Sequence, residues 1–479
     1  GVIDSRSRRG DRDAWRVSAE AGSYDFRRAA LSLQRTLGRH GLSLQGNVAG
    51  DDGYQESSGY DREQLTARHD YEGQRWTVTS AFDGTRLDQQ TAGYITGLGN
   101  FRDEAARRQN PNPDAYRDSW SARAYLSLAT DLVNGQTLTL TPHWRRTRME
   151  FLQHFLPWQP WEKNGHESLG LRASIAGSNA ALDWRYGLDL DATAGWLREF
   201  QPEPFSINQP QGMHYDYDVD ARSAAAWGQL YAQLTPQWHA MAGARMEYRR
   251  YDYDNNLANG PACSPAASAC RFFRPGNRSD SFNDWTLNLG VTRILSQRSA
   301  LWFRVARGFR APQTSELYRL QNGQAVADID SESMDSIELG IRGDLLPWLS
   351  LQATAYHMRK DDVIFQDTRR QVVSGANTRH EGLELGADAA AGQWYGGVDL
   401  SWARHRYDSA VSLLGSAGDI EGNDIDTAPR LFGSARVGWK ADDGRLRGEL
   451  EWVHMGDYFL DPDNRHRYDG HDLLNLRLR

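Results

Sequence analysis

The segment Phe151-Leu152-Gln153-His154-Phe155-Leu156-Pro157-Trp158-Gln159-Pro160-Trp161 is unusually apolar for a loop, and it follows Arg145, Arg146 and Arg148. Tyr94, Phe101, Tyr215 and Tyr217 add rings in other long loops. Aromatic faces beside guanidinium groups supply stacking and charge complementarity, which would suit a flat anionic ligand. The same rings could equally pack loop against loop. Catalytic chemistry is harder to assemble. There is no G-x-S-x-G elbow and no H-E-x-x-H pair, and the histidines are scattered. Neither a phosphate-binding G-x-x-x-x-G-K-[ST] nor a G-x-G-x-x-G between strand and helix occurs. Asp461-Pro462-Asp463-Asn464 lacks the ligand spacing of a calcium loop and reads as a solvated turn. Cys263 and Cys270 have no nearby histidine with which to hold a metal. They suit a small disulfide closing one loop in an oxidising compartment. No catalytic residue, metal site or cofactor is expected, and no enzymatic activity.

Such rings and charges must be carried by a scaffold. A net charge of −8 gives no general basic bias toward nucleic acid. No run approaches the apolar length of a membrane helix, but barrel strands hide their apolar residues at alternate positions. Lysine occurs only at Lys163, Lys360 and Lys440, so nearly every cation is Arg; a preference for bidentate anion contacts or a genomic bias would each produce this. Gly1 to Gly10 is polar and carries no signal peptide, as in a mature or trimmed chain.

From Asp13 onward about twenty segments alternate apolar and polar residues. In Leu182–Trp196, the sharpest, Leu182, Trp184, Tyr186, Leu188 and Leu190 share one face, while Asp183, Arg185, Asp189 and Asp191 share the other. That carboxylate-rich face cannot meet lipid tails but could face a wet lumen. Short turns such as Gly38–Gly41, Pro236–Gln237 and Ala391–Gln393 alternate with long loops. The long ones include Gly84–Asp118, Glu150–Gly165, Glu199–Asp218, Asp252–Ser281, Gly308–Ser331 and Asp361–Thr378. Trp76, Trp238, Trp348, Trp394 and Trp439 lie in or beside short turns, as an interfacial aromatic girdle would place them. The expected fold is all-β: a transmembrane antiparallel β-barrel. A soluble all-β binding protein is the less favoured alternative.

Several short motifs then occur in a telling order. Arg307-Gly308-Phe309-Arg310-Ala311-Pro312 is followed by Ser315-Glu316-Leu317-Tyr318, Ile337-Glu338-Leu339-Gly340, Asp361-Asp362-Val363-Ile364 and Glu381-Gly382-Leu383-Glu384. This order resembles the late barrel of TonB-dependent outer-membrane receptors. The resemblance implies a barrel of 22 strands, of which about twenty are present. It implies that residues 1–10 end a plug domain, through Gly1-Val2-Ile3 and Arg8-Arg9-Gly10, and that residues 11–479 form the barrel, incomplete at Leu476-Arg477-Leu478-Arg479. It further implies location in the outer membrane, contact with its lipid, and partnership with the TonB complex through an N-terminal region not in this chain. The family's default ligand is a ferric siderophore, with cobalamin, a saccharide or another metal complex as the alternatives. Haem is disfavoured, because no histidine lies between Ala311 and His357 and Asp328-Ile329-Asp330-Ser331-Glu332 stands where haem receptors carry N-P-x-L. A passive porin-like channel remains the alternative function. The expected ligand-binding residues are Tyr94, Phe101, Arg146, His154, Trp158, Trp161, Tyr215, Tyr217, Arg310 and Tyr318, on loops that should converge over one mouth.

Overall fold

The computed structural model describes residues 10–97, 99–321 and 323–479. The expected plug-to-barrel junction at Gly1–Arg9 lies outside the described residues. Among the described residues twenty strands form one sheet, and each pairs antiparallel with its neighbours in chain order, from Ala14–Ala21 to His471–Leu478. Such a meander is what short turns at one end and long loops at the other must produce. Ala14–Ala21 pairs with Arg27–Leu37, and His471–Leu478 pairs with Arg447–Met455.

Period-two patterning sorts the two faces. Along Leu182–Gln201 the even-numbered Tyr186, Leu188 and Leu190 point outward and are about half exposed, as side chains awaiting lipid. Odd-numbered Asp189 and Asp191 point into the lumen. There Arg245 pairs with Asp189, and His143 meets Asp191 at 3.0 Å. Both of these carboxylates thus have a partner, which a charge facing lipid would lack. At the short turns Trp238, Trp348 and Trp394 stay exposed, and Trp394 stands opposite Trp439 in register.

The strands run longer than their alternation suggests, and the loops shrink to match. The expected loop Glu199–Asp218 contracts to 202–211, Glu150–Gly165 to 153–160, Gly84–Asp118 to 91–115, and Asp361–Thr378 to 367–371. The cause is visible in Gly212–Gln233. Its lower half turns Ala224, Ala226 and Leu230 outward; its upper half turns Tyr215, Tyr217 and Val219 inward, buried, with Asp216, Asp218 and Asp220 outward. The apolar face switches sides near Ala221-Arg222. Below that level apolar groups seek lipid; above it, water is outside and the apolar groups seek the interior.

Candidate functional site

The inward switch builds a core across the mouth of the barrel. Leu197, Tyr217, Val219, Tyr251 and Tyr253 from the wall surround Leu317, Tyr318, Leu320, Ala327 and Ile329 of loop 311–331. The loop enters as the short helix Thr314–Tyr318. Glu316 accepts the backbone N–H of Gln313 at 2.7 Å, capping the helix start. Polar groups then pin the loop to the wall. The Tyr215 hydroxyl donates to Leu320 O at 2.6 Å, Tyr251 to Pro312 O at 3.2 Å and Tyr318 to Asp280 at 2.9 Å. The Tyr318 ring stacks on Tyr253 with centroids 4.3 Å apart.

Arg319 is the loop's electrostatic anchor. Its guanidinium reaches Glu162 at 2.9 Å, pairs with Glu199 and donates to Gln153 at 3.2 Å. Burial would pull this guanidinium down, but Glu199 and Glu162 hold it above the ordinary arginine range. Both carboxylates are buried, and His214 meets Glu199 at 3.0 Å while stacking on Phe272. His214 sits where the pairing of Gly212–Gln233 slips by one residue, which turns an even-numbered side chain inward.

Above this core lies a pocket of about 390 Å³ between loops 153–160, 256–277 and 311–331 and the upper strands beside 367–371; Phe155, Trp158, Arg271, Gln321 and Phe365 are among its lining. Arg271 lies over the Trp158 ring, 4.4 Å from its centroid. Among the described residues its guanidinium makes no carboxylate contact. Burial, and then the like charge of Arg370, pull it down to about 10, so it remains a cation at neutral pH. Arg370 occupies left-handed backbone, φ 65°, in its tight loop. Two buried polar atoms here, Trp158 Nε1 and Gln321 Oε1, have no hydrogen-bond partner among the described residues.

The sequence-predicted residues divide three ways. Trp158, Tyr215, Tyr217 and Tyr318 come together, but as buried members of the mouth core. Arg310 anchors the loop's root, donating to Glu332 at 2.9 and 2.7 Å and to Glu316 at 2.9 Å. His154 bridges toward Thr91 at 3.4 Å, joining loops 91–115 and 153–160. The others stand apart. Tyr94 and Phe101 are exposed on loop 91–115. Arg146 shares the outward face with Trp120 and Glu167, and Trp161 packs on the outward Phe200. Cys263 and Cys270 are bonded to each other, with Cα atoms 5.6 Å apart, beside the pocket in loop 256–277. Sequence reading missed Gln153, Glu162, Glu199, His214, Arg271 and Arg319. The in-register pair Glu162 and Glu199 could have been found by extending the strands upward.

A family model described as TonB dependent receptor-like, beta-barrel matches residues 9–479. Solved structures share the fold at low identity. The ferric yersiniabactin uptake receptor FyuA from Yersinia pestis is 17% identical with a TM-score of 0.75, covering 97% of this chain and 72% of its own. The ferric-catecholate import receptor Fiu from K12 E. coli is 13% identical with a TM-score of 0.76, covering 98% and 75%. The copper transporter OprC is 13% identical with a TM-score of 0.75, covering 96% and 70%. A search of curated proteins finds no match.

Proposed function

The chain belongs to the TonB-dependent receptor family, whose β-barrel it supplies in the outer membrane, and from that premise we propose that its ligand is a ferric siderophore or a similar anionic chelate, captured in the mouth pocket. The observation that carries this reading is Arg271, which lines the pocket over the Trp158 ring with no carboxylate contact among the described residues. Such a cation, with the like charge of Arg370 acting on it, attracts an anion. Trp158 beneath Arg271 offers a stacking face and an unpartnered N–H. FyuA and Fiu, by their names, take up ferric chelates on this fold, while OprC transports copper, so the chemistry of the mouth has to choose among ligands.

Energy would come from the TonB complex, engaged through an N-terminal region, with residues 1–10 ending a plug and residues 11–479 forming the barrel. The packed core across the mouth supports gated uptake over a passive porin-like channel, which needs an open path. Family membership sets aside the soluble alternative. The test titrates the purified receptor with ferric catecholate, hydroxamate and citrate complexes and follows tryptophan fluorescence. One class should bind, and Arg271→Ala should weaken it about tenfold, the loss of one charge-assisted contact. Equal binding by Arg271→Ala and Arg370→Ala would move the capture site elsewhere.

A further inference from the structure

The outward surface near the short turns holds a second site. A groove of about 870 Å³ runs over the first strands, and Trp15, Leu33, Leu42, Leu44, Ala67 and Phe82 furnish its apolar walls and floor. These six share the outward face by register: Trp15 opposes Leu33, Leu33 opposes Leu44, Leu44 opposes Ala67, and Ala67 opposes Phe82. Ala67 provides the depth, because its neighbours on both sides are large. Most of the barrel's outward face at this level is apolar, but here polar groups join the lining. Arg35 opposes Leu42, which opposes His69. Arg35 is exposed, and among the described residues its guanidinium makes no hydrogen bond or ion pair. His69 Nε2 lies 3.0 Å from His40 Nδ1, and the His40 ring packs 4.8 Å from Tyr71. Asp13 is also exposed in this lining, its Oδ1 held by the backbone N–H of Thr36 at 2.8 Å.

An unpaired guanidinium on a face that meets lipid is costly unless it reaches the headgroup layer and finds an anion there. Arg35 is three residues from the Gly38-Arg39 turn, on the short-turn and hence periplasmic side. We propose that this groove is a binding site for one glycerophospholipid of the periplasmic leaflet, of the phosphoethanolamine class. One acyl chain fills the groove over Ala67. The phosphate accepts from Arg35, with His69 as a second donor, and the primary ammonium reaches Asp13. The choice of a zwitterionic headgroup rests on charge complementarity: the site presents a cation and a carboxylate that are not paired with each other. This site is remote from the mouth pocket and independent of the siderophore reading.

The experiment uses the protein purified from outer membranes, delipidated in detergent and titrated with phosphatidylethanolamine, phosphatidylglycerol or phosphatidylcholine of matched chains, read by native mass spectrometry. One phosphatidylethanolamine should bind in preference to the others. Arg35→Gln should lower its occupancy about tenfold, as loss of a charge-assisted contact does. Asp13→Asn should erase the preference over phosphatidylglycerol while leaving a bound lipid. Ala67→Trp, which fills the floor but keeps the charges, should also abolish the adduct. Heat-modifiable gel mobility shows that each variant is folded. Equal binding of all three lipids, unchanged in Arg35→Gln and Ala67→Trp, would mean bulk lipid only and overturn the proposal.

Discussion

At the scale of single residues, Arg319 carries more consequence than any aromatic in the mouth. It is the cation that makes two buried carboxylates tolerable. Removing one partner of a buried ion cluster leaves the others uncompensated, which costs about 3–5 kcal/mol. Arg319→Met should therefore lower stability by roughly 3 kcal/mol, allowing for its partial exposure. Adding Glu199→Gln should recover part of the loss, since one stranded charge is gone. Urea unfolding from lipid vesicles measures both; additive losses would show that the pair is not coupled. The cysteines make a smaller test. They close a loop of sequence separation 7 beside the pocket, so replacing both with Ser should cost at most a few kcal/mol, about 3 or less. Ligand affinity should fall more visibly than stability, because Cys270 lies next to Arg271 in sequence and its Sγ is 3.3 Å from the carbonyl oxygen of Phe272, and both neighbours line the pocket.

Single strands have a border written into them. Leu190 lies on the outward face with Leu171 and Ala224 beside it. Leu190→Arg should destabilise the barrel by about 2–4 kcal/mol if the residue lies near the bilayer midplane. Asp189→Asn, one residue away, should be milder, because the lumen is wet and Arg245 keeps Glu247 as a partner. Folding yield in vesicles compares the two. Equal effects would contradict the assigned faces. This border also explains what the sequence made legible. Below the switch, Trp238–Asn255 shows Met246 and Tyr248 outward, and alternation identifies that part readily. In its upper half Tyr251 and Tyr253 turn inward while Arg250, Asp252 and Asp254 turn outward. A reader following lipid-facing apolar residues loses the strand at that switch. Fold class, turn asymmetry and the Trp-flanked turns were therefore readable. The network of Glu162, Glu199 and Arg319 was not, because it joins three segments far apart in sequence. Trp158 and Tyr215 do meet in one cluster at the mouth, but their burial depends on neighbours that no local pattern reveals.

For the whole molecule, orientation can be read with very few reporters. Lys163 lies on the loop side, 4.9 Å from the Trp161 ring centroid, and Lys440 lies at a short turn. A membrane-impermeant amine reagent applied to intact cells should label Lys163 and spare Lys440 until the envelope is opened. Mass spectrometry of the labelled peptides checks this, and the reverse pattern would invert the topology. The length of the strands has a further result. Gly212–Gln233 has 22 residues, about 70 Å along the strand at about 3.3 Å per residue. Tilted by about 40°, it rises roughly 55 Å, against an apolar band about 25 Å tall. Much of the remainder stands on the loop side. The mouth is thus lifted well beyond one screening length, about 8 Å at physiological ionic strength, from the phosphates of the lipid surface. An anionic chelate approaching Arg271 meets the field of the receptor's own guanidiniums, and the repulsion of the membrane beneath has already been screened away.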